Sequence, residues 1–280
     1  SMTLDNIDDV LENNFDYVRH GTLIIGFGSA LPSSAFPYTD YMIDTVIIPD
    51  SIISIDPNVF SSSDIKQAIV YETHPMFSTL DGIIYNKHLT EIIAVPLGIS
   101  GTITLPNTIT EIKEKQFFRC EYLTGIIIPD SVTKIGNEAF YETRIKEIYI
   151  SKYVTEIGIN PFAGVWNLSK IVVDADNPRY HSNGTCLIET DSKTLISGCF
   201  YSTIPDDGSV TIIGESAYEG IFVLNKSCSV IMPDTIVRIE RCAFYGNSWL
   251  MSLSLPKKLE YIGGLAFSGV RTSSIRIPAS

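Results

Sequence analysis

The chain has 280 residues, 45% of them hydrophobic and 19% charged, a composition that can bury a core and is unlike that of a disordered chain. Its formal net charge is −12 and its cations form no cluster, which argues against nucleic acid and anionic membrane as partners, both of which are held through basic faces. No segment reaches the roughly 18 to 20 consecutive apolar residues of a membrane-spanning helix, so no membrane insertion is expected.

At the N-terminus, Ser1 and Met2 lead into Asp5, Asp8 and Asp9, not into the basic and then apolar stretch of a signal peptide. Ser1 ahead of Met2 looks like a scar of tag removal, so the missing leader decides little. Residues 4–14 are expected to form a short acidic helix. The run Gly21-Thr22-Leu23-Ile24-Ile25-Gly26-Phe27-Gly28 reads as a strand with a glycine-rich end. It lacks the third glycine and the following helix of a dinucleotide-binding turn, and no cofactor is expected. Residues 1–42 carry no repeat and are expected to form an N-terminal cap on the rest of the chain.

From Ile43 onward a short apolar strand followed by proline recurs. It is seen at Val46-Ile47-Ile48-Pro49, Ile103-Thr104-Leu105-Pro106, Ile126-Ile127-Ile128-Pro129, Val230-Ile231-Met232-Pro233, Leu253-Ser254-Leu255-Pro256 and Ile275-Arg276-Ile277-Pro278. Ile148-Tyr149-Ile150 and Ile171-Val172-Val173 lack the proline. The period is 23 residues from Pro106 to Pro129 and from Pro233 to Pro256, and 22 from Pro256 to Pro278. The rest of each unit continues in phase: after Pro129 come Val132, Ile135, Gly136, Ala139 and Phe140. In an I-x-I strand alternate side chains point to opposite faces, so the flanking pair enters the core and the middle residue faces out. Proline cannot donate to a ladder and ends the strand. One unit cannot bury its apolar side alone, whereas stacked units can. The expected fold is therefore a repeat solenoid over residues 43–280, mostly β, with a parallel sheet on its concave side. Phe60, Phe117, Phe140, Phe162, Phe244 and Phe267, with Tyr218 in the same phase, are expected to stack as a column.

Two segments break the period, near residues 81–96 and 183–199. Each is two apolar runs around a polar turn, the pattern of a β-hairpin. In the second, Ile188 is expected to pair with Leu195, which sets Cys186 opposite Ser197 and diagonal to Cys199. A bridge needs Cα atoms within about 7 Å, and free thiols are expected. None of the five cysteines shows metal or redox spacing.

The unit L-x-x-I-x-I-P-x-x-V-x-x-I-G-x-x-A-F resembles the BspA-like, or Treponema-type, leucine-rich repeat, and the stretch from Leu123 to Phe140 matches nearly every position. Both inserts and the Gly21-Thr22-Leu23 strand are similar to segments of that family. The resemblance implies a leucine-rich-repeat solenoid that binds proteins, an adhesion-type module at the cell surface or secreted. A host or extracellular-matrix protein is the kind of partner implied. An intracellular scaffold, a host-targeted effector or an accessory binding domain of a larger enzyme remain alternatives.

Catalytic motifs are absent, the four histidines (His20, His74, His88, His181) are scattered, and no enzyme activity or metal is expected. Asp174-Ala175-Asp176-Asn177 lacks the glycine and distal Glu of a calcium loop and reads as an Asx-type turn. Asn167, Asn183 and Asn225 lie in glycosylation sequons. The chain stops just after a repeat strand; either a capping segment was removed, the favoured reading, or that edge is covered by a partner. The candidate binding residues are the outward strand positions Ile47, Ile127, Tyr149, Val172 and Ile231, since an exposed apolar ladder often marks a contact surface.

Overall fold

Short strands recur once per turn, and each pairs with its equivalent one turn along the chain. The structure, a computed structural model, describes residues 21–26, 28–36, 43–221, 228–248, 250–272 and 275–276. Among these residues every regular element is a strand. The helix expected over residues 4–14, His20, Phe27, the sequon at Asn225 and the chain end from Ile277 lie outside the described residues.

The longer strands stack in parallel. Gly21–Ile24, Ile43–Ile48 and Gln67–Val70 form one sheet, with Ile24, Ile47 and Ile69 in register. Gly101–Thr104 pairs with Leu123–Ile127, and Glu147–Ile150 with Lys170–Val173. Cys228–Ile231, Leu250–Ser254 and Ile275–Arg276 form the last set. The strand Gln67–Val70 lacks the following proline, and the repeat pattern passed over it. Inward and outward positions alternate as expected: Ile148 and Ile150 are buried, while Tyr149 between them is exposed.

A second parallel row comes from two-residue strands at the V-x-x-I step. Glu111–Ile112, Lys134–Ile135 and Glu156–Ile157 pair in sequence, as do Ile212–Ile213, Arg238–Ile239 and Tyr261–Ile262. The glycine after the isoleucine is a packing requirement, because the chain here presses on the preceding turn. A Cβ on Gly136 would lie 2.4 Å from the Glu114 nitrogen.

The third side is a wall of tight turns around the aromatic residue. The N–H groups of Lys115, Phe117 and Arg119 donate to the carbonyls of Asn137, Ala139 and Tyr141. Those of Glu138, Phe140 and Glu142 donate in turn to Ile159, Pro161 and Ala163. This aim requires left-handed backbone two residues before and after each phenylalanine, at Lys115, Arg119, Glu138 and Glu142. Behind the wall the rings stack. Phe117 lies 5.5 Å from Phe140, and Phe140 lies 5.6 Å from Phe162. Tyr218, Phe244 and Phe267 stack likewise at 5.1 and 5.5 Å. Phe60 stacks on Phe36 at 5.5 Å, so residues 28–36, assigned to the cap by sequence, already supply a rung. The column is thus three stacks, and the core divides into three clusters at the same places.

The breaks are the two inserts. Each is a three-stranded antiparallel meander that starts before its expected position. The first is Phe77–Leu80, Ile83–Asn86 and Ile92–Ala94, and the second is Tyr180–Asn183, Cys186–Glu189 and Thr194–Ser197. Their opening strands hold few apolar residues, which hid them. Ile188 pairs with Leu195 as expected, but a bulge then sets Leu187, not Cys186, opposite Ser197. Cys186 and Cys199 are free and buried; Cys186 Sγ lies 3.6 Å from the Tyr218 hydroxyl, and Cys199 Sγ lies 3.4 Å from Thr185 Oγ1. His74 is fully buried beside the first meander; its Nδ1 accepts the N–H groups of Met76 and Phe77, which leaves Nε2 to donate to the Pro49 carbonyl at 3.2 Å.

Candidate partner-binding face

The outward positions of the longer strands lie along one face. Ile127 is 55% exposed and Tyr149 is 48% exposed. Tyr149 is in register with Val172, which is half-buried. The Arg144 and Lys146 N–H groups donate to the Leu123 and Thr124 carbonyls, which carries the strand register from one pair to the next and sets Ile127 and Tyr149 in one row. Thr104 is in register with Ile127 and makes the row polar on that side.

Ile47 belongs to a different group. It is half-buried between Ile24, which is 66% exposed, and Ile69. The sequence reading missed both neighbours, although the Leu23-Ile24-Ile25 alternation carried the signal for Ile24. Ile231 is 80% exposed but stands apart, because the next position in register is Ser254. The five candidates therefore fall into three places: Ile127, Tyr149 and Val172 in one row, Ile47 in a second, and Ile231 alone.

Beside the first row lies the acidic turn. The Tyr149 hydroxyl donates to Asp174 Oδ2 at 2.6 Å. Asp174 Oδ1 accepts the Asp176 N–H at 2.9 Å, the Asx turn expected from sequence. Asn177 holds the following corner, accepting the Arg179 and Tyr180 N–H groups and donating to the Ser151 and Val154 carbonyls. The phenol beside Asp174 holds its carboxyl below the usual range, and the same bond pushes the Tyr149 hydroxyl up. The side-chain oxygens of Asp174 and Asn177 thus already accept from protein donors. Asn183 is similarly engaged, its amide donating to Asp207 at 2.9 Å.

Chemically the face offers apolar area, a fixed phenol and scattered exposed charge. Among the described residues no group of three or more His, Cys, Asp or Glu side chains is placed to hold a metal, and no helix is long and apolar enough to cross a membrane.

A profile of the BspA type leucine rich repeat region matches the chain in 6 copies, over residues 28–95, 100–219 and 211–280. Among solved structures the chain is similar to a leucine rich cell surface protein of Faecalibacterium prausnitzii, at 21% identity over 90% of this chain and 79% of that one, TM-score 0.61. It is similar to a leucine-rich repeat protein of Eubacterium ventriosum, at 24% identity over 89% and 65%, TM-score 0.55. A third likeness is to the pneumococcal vaccine antigen PcpA, at 20% identity over 92% and 72%, TM-score 0.58. At these identities the likeness speaks for the fold alone. No curated protein matches the chain.

Proposed function

The chain belongs to the BspA type leucine rich repeat family, and from that premise we propose that it is a protein-binding, adhesion-type module that works at the cell surface or after secretion. The observation that carries this reading is the row formed by Ile127, Tyr149 and Val172. Two large apolar side chains stand exposed there on strands of successive turns, while the core positions are filled by Ile126, Ile148 and Ile150. A side chain that is apolar, exposed and unneeded for packing is available for a partner. Tyrosine suits such a role because it offers area, few rotatable bonds and a hydroxyl. The surface location is supported by the similar protein of Faecalibacterium prausnitzii, which is described as a cell surface protein. The partner is a folded protein docking on the strand face, host and extracellular-matrix proteins being the class to test first.

The experiment compares the parent with a variant carrying Ile127→Ser and Tyr149→Lys, for binding to a panel of immobilised extracellular-matrix proteins and to host cells. Binding by the parent and its loss in the variant support the reading. Equal binding by both would move the contact off this face. Labelling of intact source cells with an antibody against the chain tests the location, and signal only after cell lysis would overturn it.

A further inference from the structure

The two meanders are seated differently in the solenoid. The second is built into it. Its strand Thr194–Ser197 pairs in parallel with Ile212–Ile213. The Gly198 N–H donates to the Ala217 carbonyl, and the Gly164 N–H reaches the Glu219 carbonyl beyond the insert. The turn wall around Tyr218 is thereby joined to the wall that precedes it.

The first meander leaves that junction open. Among the described residues its last strand, Ile92–Ala94, pairs only within the meander. In the wall around Phe117 the carbonyls of Glu114, Gln116 and Phe118 stand at the repeat positions held one turn on by Asn137, Ala139 and Tyr141. Each of those three receives an N–H; among the described residues nothing donates to Glu114, Gln116 or Phe118. On the opposite side the N–H groups of Phe60 and Ser62 have no acceptor among the described residues. Between the two walls lies a cleft of about 440 Å³, bordered by Ser61 on one side and by Gln116 and Phe118 on the other, with Ile93 and Leu97 among its apolar lining. Gln116, on the rim of the cleft, also carries a buried Oε1 with no hydrogen-bond partner among the described residues, a costly state for a polar atom.

We propose that this cleft binds an extended segment of a partner polypeptide, whose main chain supplies the missing rung of the turn wall. The ligand must offer donors at every second position toward Glu114, Gln116 and Phe118, and acceptors on its other side toward Phe60 and Ser62. A polypeptide backbone carries both at that repeat, and strand addition to an open edge is an established mode of recognition. The meander lies behind the cleft, with Ile83 and Tyr85 buried. The neighbouring cations are engaged, Lys113 with Glu91, Lys115 with Glu138 and Arg119 with Glu142, which disfavours a phosphorylated or strongly acidic ligand. The site is separate from the strand face proposed above, and the two can fail independently.

The probe is a fluorescent synthetic peptide of residues 134–144 of this chain, which fills the equivalent rung one turn on. Fluorescence polarisation compares it with a scrambled peptide and with a copy N-methylated at Phe140, whose N–H would face the Gln116 carbonyl. The peptide binds the intact protein saturably, and N-methylation weakens it by about tenfold or more, the loss of one buried hydrogen bond. The Ser61→Trp variant, which crowds the cleft from its rim, melts like the parent and loses the peptide. Binding no better than that of the scrambled peptide, full affinity of the N-methylated copy, or full affinity of Ser61→Trp would each overturn the proposal. If Ser61→Trp does not fold, the comparison of the two peptides on the unaltered protein decides alone.

Discussion

The Tyr149 hydroxyl donates to Asp174 Oδ2 at 2.6 Å, tying the outward residue of one strand to the turn that ends the next. Removing it with Tyr149→Phe should raise the Asp174 pKa toward the ordinary carboxylate value, since this bond is the largest cause of its depression. A carboxyl held low in the folded state contributes stability that is present above its unfolded pKa and is lost as pH falls through its folded pKa. The variant should therefore lose stability relative to the parent near neutral pH, with the gap closing as pH falls below about 4. Both groups are exposed, so the effect is small. Carboxyl-carbon NMR titration reads it directly, and an unmoved Asp174 pKa would show that the bond is not formed in solution.

The double substitution Ile127→Ser with Tyr149→Lys should leave the melting curve close to that of the parent, because surface changes away from packing features fall within about 0.5 kcal/mol each. The same treatment of the inward neighbours, Ile126→Ser with Ile148→Lys, should prevent folding, since Ile148 would bury an unpaired charge. Circular dichroism during heating separates the cases. The opposite ranking would mean that the two faces of the strand are exchanged, as a slip of one residue would do.

Phe140 lies between Phe117 and Phe162 in the stack and is fully buried. Truncation to alanine should cost about 3 to 5 kcal/mol, from lost transfer energy and the cavity left in a wall whose backbone is tied on both sides. Denaturant titration measures it. A cost under about 1 kcal/mol would be incompatible with a buried ring at this place.

Gly136→Ala should destabilise by about 1 to 3 kcal/mol, because the added methyl group meets the backbone of Lys113 and Glu114 and those atoms cannot move aside without breaking the wall. Chemical unfolding of the variant is the check. A neutral result would show that the turns are packed more loosely than the structure has them.

Burial pushes the Cys120 thiol up to about 12 and the Cys186 thiol up to about 11. Thiolate, not thiol, is the reactive species. Iodoacetamide at pH 8 should therefore leave both unmodified in the native protein and modify both after unfolding in denaturant. Peptide mapping without reductant should find Cys186 and Cys199 unbridged. Rapid native alkylation of Cys120, or a linked Cys186–Cys199 peptide, is the contrary result.

The repeat was legible because it is a local pattern. The alternation in Val46-Ile47-Ile48 or Ile148-Tyr149-Ile150 states which side chains are apolar and which face they share, and that is enough to place Phe140 in a core and Tyr149 outside it. Even the expected stacking of Phe117, Phe140 and Phe162 comes from the repeat, since equal units that stack must superpose equal residues. The two-residue strands such as Lys134–Ile135 were not legible, because two residues are too few to display a period. Nor was the rung at Phe36, where no repeat strand with its proline precedes. The hydrogen bond between Tyr149 and Asp174 joins residues 25 apart in sequence and depends on how one turn is laid on the next. The two inserts make the division clearest. Read as sequence they are the same hairpin pattern, yet Thr194–Ser197 joins the neighbouring turn and Ile92–Ala94 does not. Local alternation determines a strand and its apolar face; whether its edge meets another edge is set by the stacking of turns a full period away, and that only the tertiary structure decides.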